Sequence, residues 1–447
     1  MRLTVRPLPL AALLVALPVA LGALPGAVAA PPEGKGKPAG KGKPAAAAPA
    51  APRVVVADVD SGINPYHQFF QRGSSSSVTP DVLAEFGIGD SQIIDLTSID
   101  NVQADFASVE RGKPYWFRGT NIIGISFDTP PEGDTLIFGD EGDEHGTGTS
   151  ASVLGANPEA VVVMVEGVNS ESETFAFTHP AVDIVTTSYG FPGSPPIPFH
   201  LENSYEGTVK RGKLHFGAAD NSPALSPPDG TSGPWWTIGV AGFHEDTSGG
   251  RELLSGNVVD VVSDFTQNLP YCHDCTTETR DVSGTSFATP RSAGTASKIL
   301  LEARRAAGHV GGPVVKDGLD SLMVDGSTQL TPWQLRRSFE QAAAYPGIGD
   351  FDPESAIFDD LGTSAPVNDA APYTQTGWGI FSPDEKYGVV GEALARLSGG
   401  GDPKRDKTAD ACAFNNAQHD LRHVYWDNVA IGSESFFTTD EDPFIHC

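Results

Sequence analysis

Short apolar runs, separated by segments of helical composition, dominate the pattern along this chain. We predict from them an α/β fold in three layers, with a mostly parallel central sheet that helices cover on both faces. Runs that lack a regular polar alternation are typical of strands buried on both faces. The runs that show this pattern are 54–63, 161–165, 182–187, 236–242 and 258–262, and the segments of helical composition are 287–307 and 332–339.

One predicted helix begins near a serine. In the segment GTSFATP (284–290), Ser286 lies where small residues lead into the helix, with Pro290 expected in its first turn. Backbone N–H groups at a helix start have no partner inside the helix, and the dipole is positive there. That environment suits a nucleophile whose product is an oxyanion. Taken alone, an ordinary N-cap serine explains the pattern equally well.

Two further segments supply a carboxylate and a base. The run that starts at Val54 leads to Asp60, which is expected at the carboxyl end of a buried strand. His145 precedes a segment of small residues that could pack closely as a helix. A serine hydroxyl needs an adjacent base to take its proton, and the base needs a third group to fix its tautomer. Asp60, His145 and Ser286 can fill these three roles.

The three segments resemble the signature motifs of the subtilisin-like serine proteases. The motifs are a strand that ends in Asp-Ser-Gly-Ile, a His-Gly-Thr helix start and Gly-Thr-Ser-x-Ala-x-Pro. The chain order Asp, His, Ser is also that of subtilisin. The resemblance covers residues 53–397 and implies a secreted endopeptidase whose triad is Asp60, His145 and Ser286. It implies no cofactor for the chemistry and allows a structural Ca²⁺ ion.

The family also uses an asparagine amide, at a strand end, as a donor to the oxyanion. Asn221 takes that position if Ala218–Asn221 aligns with the family's Ala-Ala-Gly-Asn, and Asp220 then stands where glycine is usual. A shift of one residue would put Asp220 there, as in the related sedolisins, which use a protonated aspartate. Because sedolisins lack the His-Gly-Thr motif, we expect Asn221 to be the donor. A plain turn residue is the alternative for Asn221.

Ser188, Tyr189 and Gly190 follow the run 182–187 and resemble the family's Ser-x-Gly segment, which pairs with an extended substrate. In such strand addition, main-chain hydrogen bonds give affinity and side-chain pockets give selectivity. We therefore expect these three residues to bind substrate. For Tyr189, a core strand that ends in a turn is the alternative.

Composition fits one large catalytic domain. The chain has 447 residues, of which 39% are hydrophobic, and a formal net charge of −28. Such an acidic surface keeps a protein soluble and argues against nucleic-acid partners. We expect a peptide or protein substrate and a monomer. The many carboxylates offer oxygen ligands for Ca²⁺, although the sequence contains no EF-hand loop.

The N-terminus has the order of a secretory signal peptide. Two arginines precede the apolar stretch 8–23 and a group of small residues, so we predict a signal peptide over 1–30 and an extracellular protein. Two prolines weigh against the alternative, an uncleaved membrane anchor. Residues 31–52 have the composition of a disordered linker and cannot form the folded propeptide of many secreted relatives. The catalytic domain is predicted over 53–400.

The chain has four cysteines, which a secreted protein normally closes into disulfides. Proximity favours Cys272–Cys275 and Cys412–Cys447 among the three connectivities. The alternative for the Cys272–Cys275 pair is a metal site or a redox-active dithiol, but zinc would need two more ligands and no second CxxC is present. We expect the second disulfide to cross-link a C-terminal extension, residues 401–447.

A different class of function is also open. The chain could be a catalytically silent protein that keeps the fold to bind peptides. The complete set of triad residues argues against this, because a binding protein has no chemical need for all three. A peptide cyclase would use the same acyl-transfer groups.

Overall fold

The structure of the protein is a computed structural model. It describes residues 51–129, 135–139, 142, 144–190, 197–221, 231–245, 247, 251–254, 259–312, 315–316, 319–320, 322–325, 328–344, 377–405, 430–431 and 434–435. The predicted signal peptide and most of the predicted linker lie outside these residues. The predicted domain boundaries therefore stay predictions.

A large sheet forms the centre of the described part of the chain. Its strands are β1 Val55–Asp60, β2 Ile93–Ile94, β3 Tyr115–Phe117, β4 Ile122–Ser126, β5 Val161–Glu166, β6 Ile184–Thr187, β7 Leu214–Ala218, β8 Ile238–Glu245, β9 Arg251–Leu254 and β10 Val261–Ser263. Their spatial order is β10-β8-β7-β6-β1-β5-β4-β3-β2, with β9 paired to β8. Seven of these pairs are parallel, and β3–β4 and β8–β9 are antiparallel. The predicted mostly parallel sheet is confirmed.

Smaller hairpins complete the described strands. Each pairs two short strands in antiparallel fashion. They are β11 Thr266–Leu269 with β12 Arg280–Ser283, β13 Val315–Lys316 with β14 Leu319–Asp320, β15 Met323–Asp325 with β16 Thr328–Leu330, and β17 Ala430–Ile431 with β18 Glu434–Ser435.

Eight α-helices are found among the described residues. They are α1 Pro80–Glu85, α2 Val102–Asp105, α3 His145–Ala156, α4 Ser170–Thr178, α5 Pro198–Tyr205, α6 Thr285–Ala307, α7 Pro332–Ala342 and α8 Val389–Leu397. A π-helical turn, Glu206–Lys210, continues α5, and the 3₁₀ turns are Gln68–Phe70, Gly73–Ser75, Asp90–Gln92, Ile99–Asn101, Glu385–Tyr387 and Pro403–Arg405. None of the described helices combines the length and apolarity that a bilayer crossing needs.

The helices cover both faces of the sheet, as predicted. Strand β1 lies in the middle, between β5 and β6, and all of its residues are buried. Val56 of β1, and Val54 just before the strand, join the core formed with α3 and α6. The odd-numbered residues of β1 join a second core with residues of α1 and α4. Because side chains alternate along a strand, the even positions direct Asp58 and Asp60 toward α3 and α6.

Helices α3 and α6 pack closely because small residues meet at their contact. A Cβ atom at Gly294 of α6 would lie 2.5 Å from the Val153 carbonyl oxygen of α3, closer than packed atoms approach. This contact brings the amino-terminal ends of both helices to the carboxyl edge of the sheet. Ligand sites in parallel sheets form at that edge.

Candidate active site

Asp60 and His145 form a hydrogen-bonded pair at the carboxyl end of β1. Asp60 is the last residue of β1, and His145 is the first residue of α3. The His145 Nδ1 atom lies 2.8 Å from Asp60 Oδ1 and 2.9 Å from Asp60 Oδ2. The Ser61 backbone N–H also donates to Asp60 Oδ1, at 2.8 Å. A carboxylate at Nδ1 favours the tautomer that keeps its proton there, so Nε2 is the nitrogen able to act as a base.

Two glycines let β1 and α3 approach so closely. A Cβ atom at Gly146 would lie 2.2 Å from the Gly62 carbonyl oxygen. Gly62 has a φ of +107°, a conformation that other residues rarely adopt. The Gly146 N–H donates to the Ser61 hydroxyl at 3.2 Å. The glycines that follow the acid and the base in the two motifs therefore set the distance between them.

Ser286 lies in the first turn of α6. The helix begins at Thr285, two residues before the predicted start. Pro290 is therefore in the second turn and not in the first, which corrects the prediction. Because proline has no N–H, it cannot donate to the Ser286 carbonyl four residues earlier. The Ser286 N–H belongs to the first turn, where backbone N–H groups have no acceptor inside the helix.

The residue after Ser286 contacts the His145 ring where α3 packs on α6. The ring of Phe287, the residue after Ser286, has its centroid 5.7 Å from that of the His145 ring. The Ser286 hydroxyl donates to the Ser188 carbonyl oxygen at 3.1 Å. A hydroxyl has a single proton, so Ser286 must turn away from Ser188 before it can donate to His145. The three predicted side chains thus lie at one edge of the sheet.

Asn221 reaches the same helix start. Its Oδ1 atom accepts hydrogen bonds from the Thr285 backbone N–H at 2.8 Å and from the Thr285 hydroxyl at 3.0 Å. Because the oxygen faces Thr285, the amide NH₂ is the part of the side chain that remains to donate elsewhere. Asp220 instead turns back on its own chain, and its Oδ1 accepts from the Asn221 N–H at 2.6 Å. Of these two residues, Asn221 contacts the segment that carries Ser286.

Ser188, Tyr189 and Gly190 follow β6 at the same edge of the sheet. The Tyr189 ring packs against the core on the α4 face, away from Ser286. Its hydroxyl donates to Glu173 Oε1 at 2.5 Å, and burial raises the Tyr189 pKa well above its ordinary value. Its carbonyl accepts from the Thr231 hydroxyl at 3.0 Å. Substrate binding by this segment stays a prediction, and it would involve the backbone rather than the phenol.

Asp58, Thr149 and Ser150 form a hydrogen-bonded cluster that was not predicted from the sequence. The Thr149 and Ser150 hydroxyls lie 2.8 and 2.9 Å from Asp58 Oδ2, next to the Asp60–His145 pair. A signal was present in the sequence, because Asp58 is an acidic residue inside an otherwise apolar run. Its partners, Thr149 and Ser150, lie one turn after His145 in α3.

A disulfide loop contacts the segment that follows Asp60. Cys272 and Cys275 are bonded in the structure, with Cα atoms 5.7 Å apart. The Asn64 amide donates to the Cys275 carbonyl at 2.8 Å, which ties this loop to the segment that follows Asp60. The other predicted pair, Cys412 and Cys447, lies outside the described residues.

Metal binding has no support from the described part of the chain. There, no group of three or more His, Cys, Asp or Glu residues has an arrangement that could hold an ion. The expected Ca²⁺ ion therefore stays an expectation.

A surface cavity of about 1060 Å³ lies far from these residues. It is formed by α7, α8 and the carboxyl-terminal end of α6. Ser286 is at the other end of α6, roughly 30 Å away at the rise of an α-helix. The cavity is therefore separate from the candidate site.

Comparison with known proteins gives only distant similarity. No family model matches the chain, and no curated protein matches it. Among solved structures, the chain is similar to the prenylagaramide maturation protease PagA, with 13% identity, a TM-score of 0.44, and coverage of 78% of this chain and 95% of that one. A lanthipeptide protease shows 12% identity, a TM-score of 0.44, and coverage of 78% and 89%. A mutant of the protease domain of PatA shows 14% identity, a TM-score of 0.44, and coverage of 78% and 97%.

Proposed function

We propose that the protein is a secreted serine endopeptidase that hydrolyses peptide bonds through an acyl-enzyme intermediate. The observation that carries the proposal is the hydrogen-bonded Asp60–His145 pair beside a serine in the first turn of a helix. Ser286 attacks the scissile carbonyl, and His145 Nε2 takes its proton. Asp60 holds the imidazole in the required tautomer and stabilises the imidazolium that forms. His145 then gives the proton to the leaving amine.

The oxyanion of the tetrahedral intermediate binds at the start of α6. The Ser286 backbone N–H and the Asn221 amide NH₂ are its donors. The contact between Asn221 Oδ1 and Thr285 supports this role, because it fixes the amide before substrate arrives. Donors held in advance stabilise developing charge without reorganisation. Water attacks the acyl-enzyme in the second half of the reaction, again with His145 as base.

The substrate in this proposal is a peptide in extended conformation. The backbone of residues 188–190 continues from β6 beside Ser286 and is the segment where such a peptide would pair. The Ser188 carbonyl, to which Ser286 donates, would exchange that partner when Ser286 turns to His145. Secretion, through the predicted signal peptide, is part of the same proposal.

A fluorophosphonate probe tests the proposal, because it labels only an activated serine. We expect labelling of the wild type and none of Ser286→Ala. Ser283→Ala is the matched control, because Ser283 is an exposed serine three residues from Ser286 whose hydroxyl lies 3.0 Å from that of Thr266. An unlabelled wild type with bound peptide would support the peptide-binding alternative.

Hydrolysis and cyclisation are separated by the product. In water enriched in ¹⁸O, a hydrolase adds the heavy oxygen to the new carboxyl group, whereas a cyclase joins the acyl group to an amine and adds none. We expect incorporation of one ¹⁸O atom for each bond cleaved. Products free of ¹⁸O would show a cyclase.

A further inference from the structure

A second carboxylate, Asp58, lies directly behind the proposed acid of the triad. Asp58 and Asp60 are two residues apart on β1, so both side chains point toward α3 and α6. Asp58 is fully buried. The mechanism proposed above does not use it, although burying a carboxyl group is costly unless it is well bonded.

Two hydroxyl groups of α3 converge on one oxygen of Asp58. Thr149 Oγ1 and Ser150 Oγ lie 2.8 and 2.9 Å from Asp58 Oδ2. Thr149 Oγ1 also lies 3.4 Å from Asp60 Oδ2 and 3.2 Å from the Gly146 carbonyl oxygen. The hydroxyl therefore stands between the two carboxyl groups, and the Gly146 carbonyl competes with Asp60 for its proton. The other oxygen, Asp58 Oδ1, has no hydrogen-bond partner among the residues that the structure describes.

Burial and Asp60 favour the neutral form of Asp58, and they outweigh Thr149, Ser150 and His145, which favour the charged form. The titratable groups that act on Asp58 are Asp60 on its own strand and His145 on α3, and its register partner on β5 is the uncharged Met164. Its register partner on β6 is Thr186, which is uncharged, and so are the buried residues in the first half of α6. Burial, and then the nearby Asp60, raises the pKa of Asp58 to about 8. At neutral pH the side chain is therefore largely the uncharged acid.

The contacts also indicate which oxygen holds the proton. Asp58 Oδ2 faces two hydroxyl oxygens, whereas Oδ1 faces no acceptor in the described part of the chain. A proton on Oδ2 can be donated to Thr149 Oγ1, and the single proton of Thr149 can then be donated to Asp60. When Asp58 is ionised, Thr149 donates to Asp58 instead, and Asp60 loses this donor.

We propose that Asp58 is a positioning residue of the triad, which acts through the Thr149 hydroxyl to hold the Asp60 carboxylate in the orientation that His145 requires. The proposal rests on the proposed function, because it assumes that the Asp60–His145 pair is catalytic. Asp58 touches no reacting atom. Its effect on the reaction passes through Thr149 and Asp60.

The first test compares two hydroxyl deletions on α3. Thr149→Val keeps the shape of the side chain and removes the hydroxyl between the carboxyl groups. Ser150→Ala removes a hydroxyl that binds the same Asp58 oxygen, at 2.9 Å, from the next position of α3. We expect Thr149→Val to lower kcat roughly 10-fold with KM unchanged, the scale of one hydrogen bond to a charged group. Ser150→Ala should change kcat less than about 2-fold, and Thr149→Ser should restore it.

The second test is the pH dependence of kcat. Asp58→Asn replaces the acid with an amide that can donate to Thr149 at every pH. In the wild type, kcat should fall between pH 7 and pH 9 as Asp58 ionises and Thr149 turns away from Asp60. The asparagine variant should lack this fall. The proposal is wrong if kcat falls with pH in the asparagine variant as it does in the wild type. It is also wrong if Ser150→Ala lowers kcat as much as Thr149→Val.

A readout that needs no activity separates this proposal from the proposed function. The pH midpoint of the His145 ring titration, followed by NMR, should move up in Thr149→Val, because Asp60 loses a donor that spreads its charge. It should not move in Ser150→Ala. A shift in a protein that the probe does not label would show that Thr149 acts on the Asp60–His145 pair, and it would overturn the protease and with it the catalytic meaning of the positioning role. Labelling without any shift in Thr149→Val would uphold the protease and overturn the positioning role, even if Asp58→Asn failed to fold.

Discussion

The Asn221 side-chain oxygen accepts two hydrogen bonds from Thr285, one from its backbone N–H and one from its hydroxyl. This double contact ties the end of the chain segment after β7 to the first residue of α6. It also determines which half of the amide is exposed beside Ser286. The contact therefore allows the two functions of Asn221, attachment to Thr285 and donation to the oxyanion, to be tested separately.

We expect Asn221→Ala to lower kcat by about 10²–10³-fold with little change in KM, the range for loss of one oxyanion-hole donor. Asn221→Asp is the matched variant, because its oxygen can still accept from Thr285 while the donor is lost and a negative charge is added. It should be at least as inactive as Asn221→Ala. Steady-state kinetics on a peptide substrate measures both. If Asp220→Ala lowers kcat in this way and Asn221→Ala does not, Asp220 is the oxyanion residue.

The stability of the protein should depend on pH through Asp58. Its pKa is raised in the folded protein from the ordinary 3.8 to about 8, so the folded state holds a proton that the unfolded chain has lost. The contribution of this proton to the free energy of unfolding is fully present below about pH 4 and is lost as the pH rises from about 4 to about 8. The slope for one proton is about 1.4 kcal/mol per pH unit. The difference in unfolding free energy between wild type and Asp58→Asn, measured in urea, should therefore fall over this interval. Parallel curves would show that Asp58 is ionised in the folded protein.

Gly146→Ala should disrupt the contact between β1 and α3. The new Cβ atom would lie 2.2 Å from the Gly62 carbonyl oxygen and 2.9 Å from Met164 Cε. Overpacking of this kind costs about 1–3 kcal/mol, and the separation of Asp60 from His145 should also lower kcat. Gly155→Ala on the same helix is the control, because nothing lies within 4 Å of its Cβ position. It should be neutral or stabilising by up to about 1 kcal/mol. Equal effects of the two substitutions would contradict the steric explanation.

The disulfide between Cys272 and Cys275 should have a limited effect on stability, because it closes a very short loop. Replacement of both cysteines by serine should lower the free energy of unfolding by about 2 kcal/mol, from the chain-entropy estimate.

Peptide mapping without reduction should show Cys272 linked to Cys275, and Cys412 linked to Cys447. Free thiols at positions 272 and 275 would contradict the first pair, and stoichiometric zinc would point to the metal-site alternative.

A chain that starts at Arg53 should fold and be active without residues 31–52. Arg53 is buried, its carbonyl accepts from Arg304 Nη1 at 2.6 Å, and its N–H donates to the Val310 carbonyl at 3.0 Å. Active-site titration should give the same yield for chains that start at Pro31 and at Arg53. A start at Val54 is the control and should lower the yield, because it removes these contacts. Recovery of an inactive Arg53 chain by the added 31–52 peptide would show that the segment assists folding.

The sequence could predict those parts of the site that depend on local position. Asp60 ends a buried run, and His145 and Ser286 stand at helix starts, so a parallel sheet brings all three toward one edge. The contact between Asp58 and Thr149 could not be predicted in this way. It joins residues 91 positions apart and depends on how α3 is rotated against β1. The start of α6 was also misplaced, because Pro290 suggested a first turn that lies further along the chain.

The distances along the chain between the reacting groups have a consequence for biosynthesis. His145 meets Asp60 across 85 residues, and Ser286 meets Ser188 across 98. The nucleophile is translated after all the strands that the structure describes in the large sheet, so a growing chain holds the acid and the base long before it holds the serine. Parallel strands joined over such distances also form slowly. A newly made chain in our proposal therefore has no cutting activity while most of its own peptide bonds are still exposed, and gains that activity only when the folded sheet protects them.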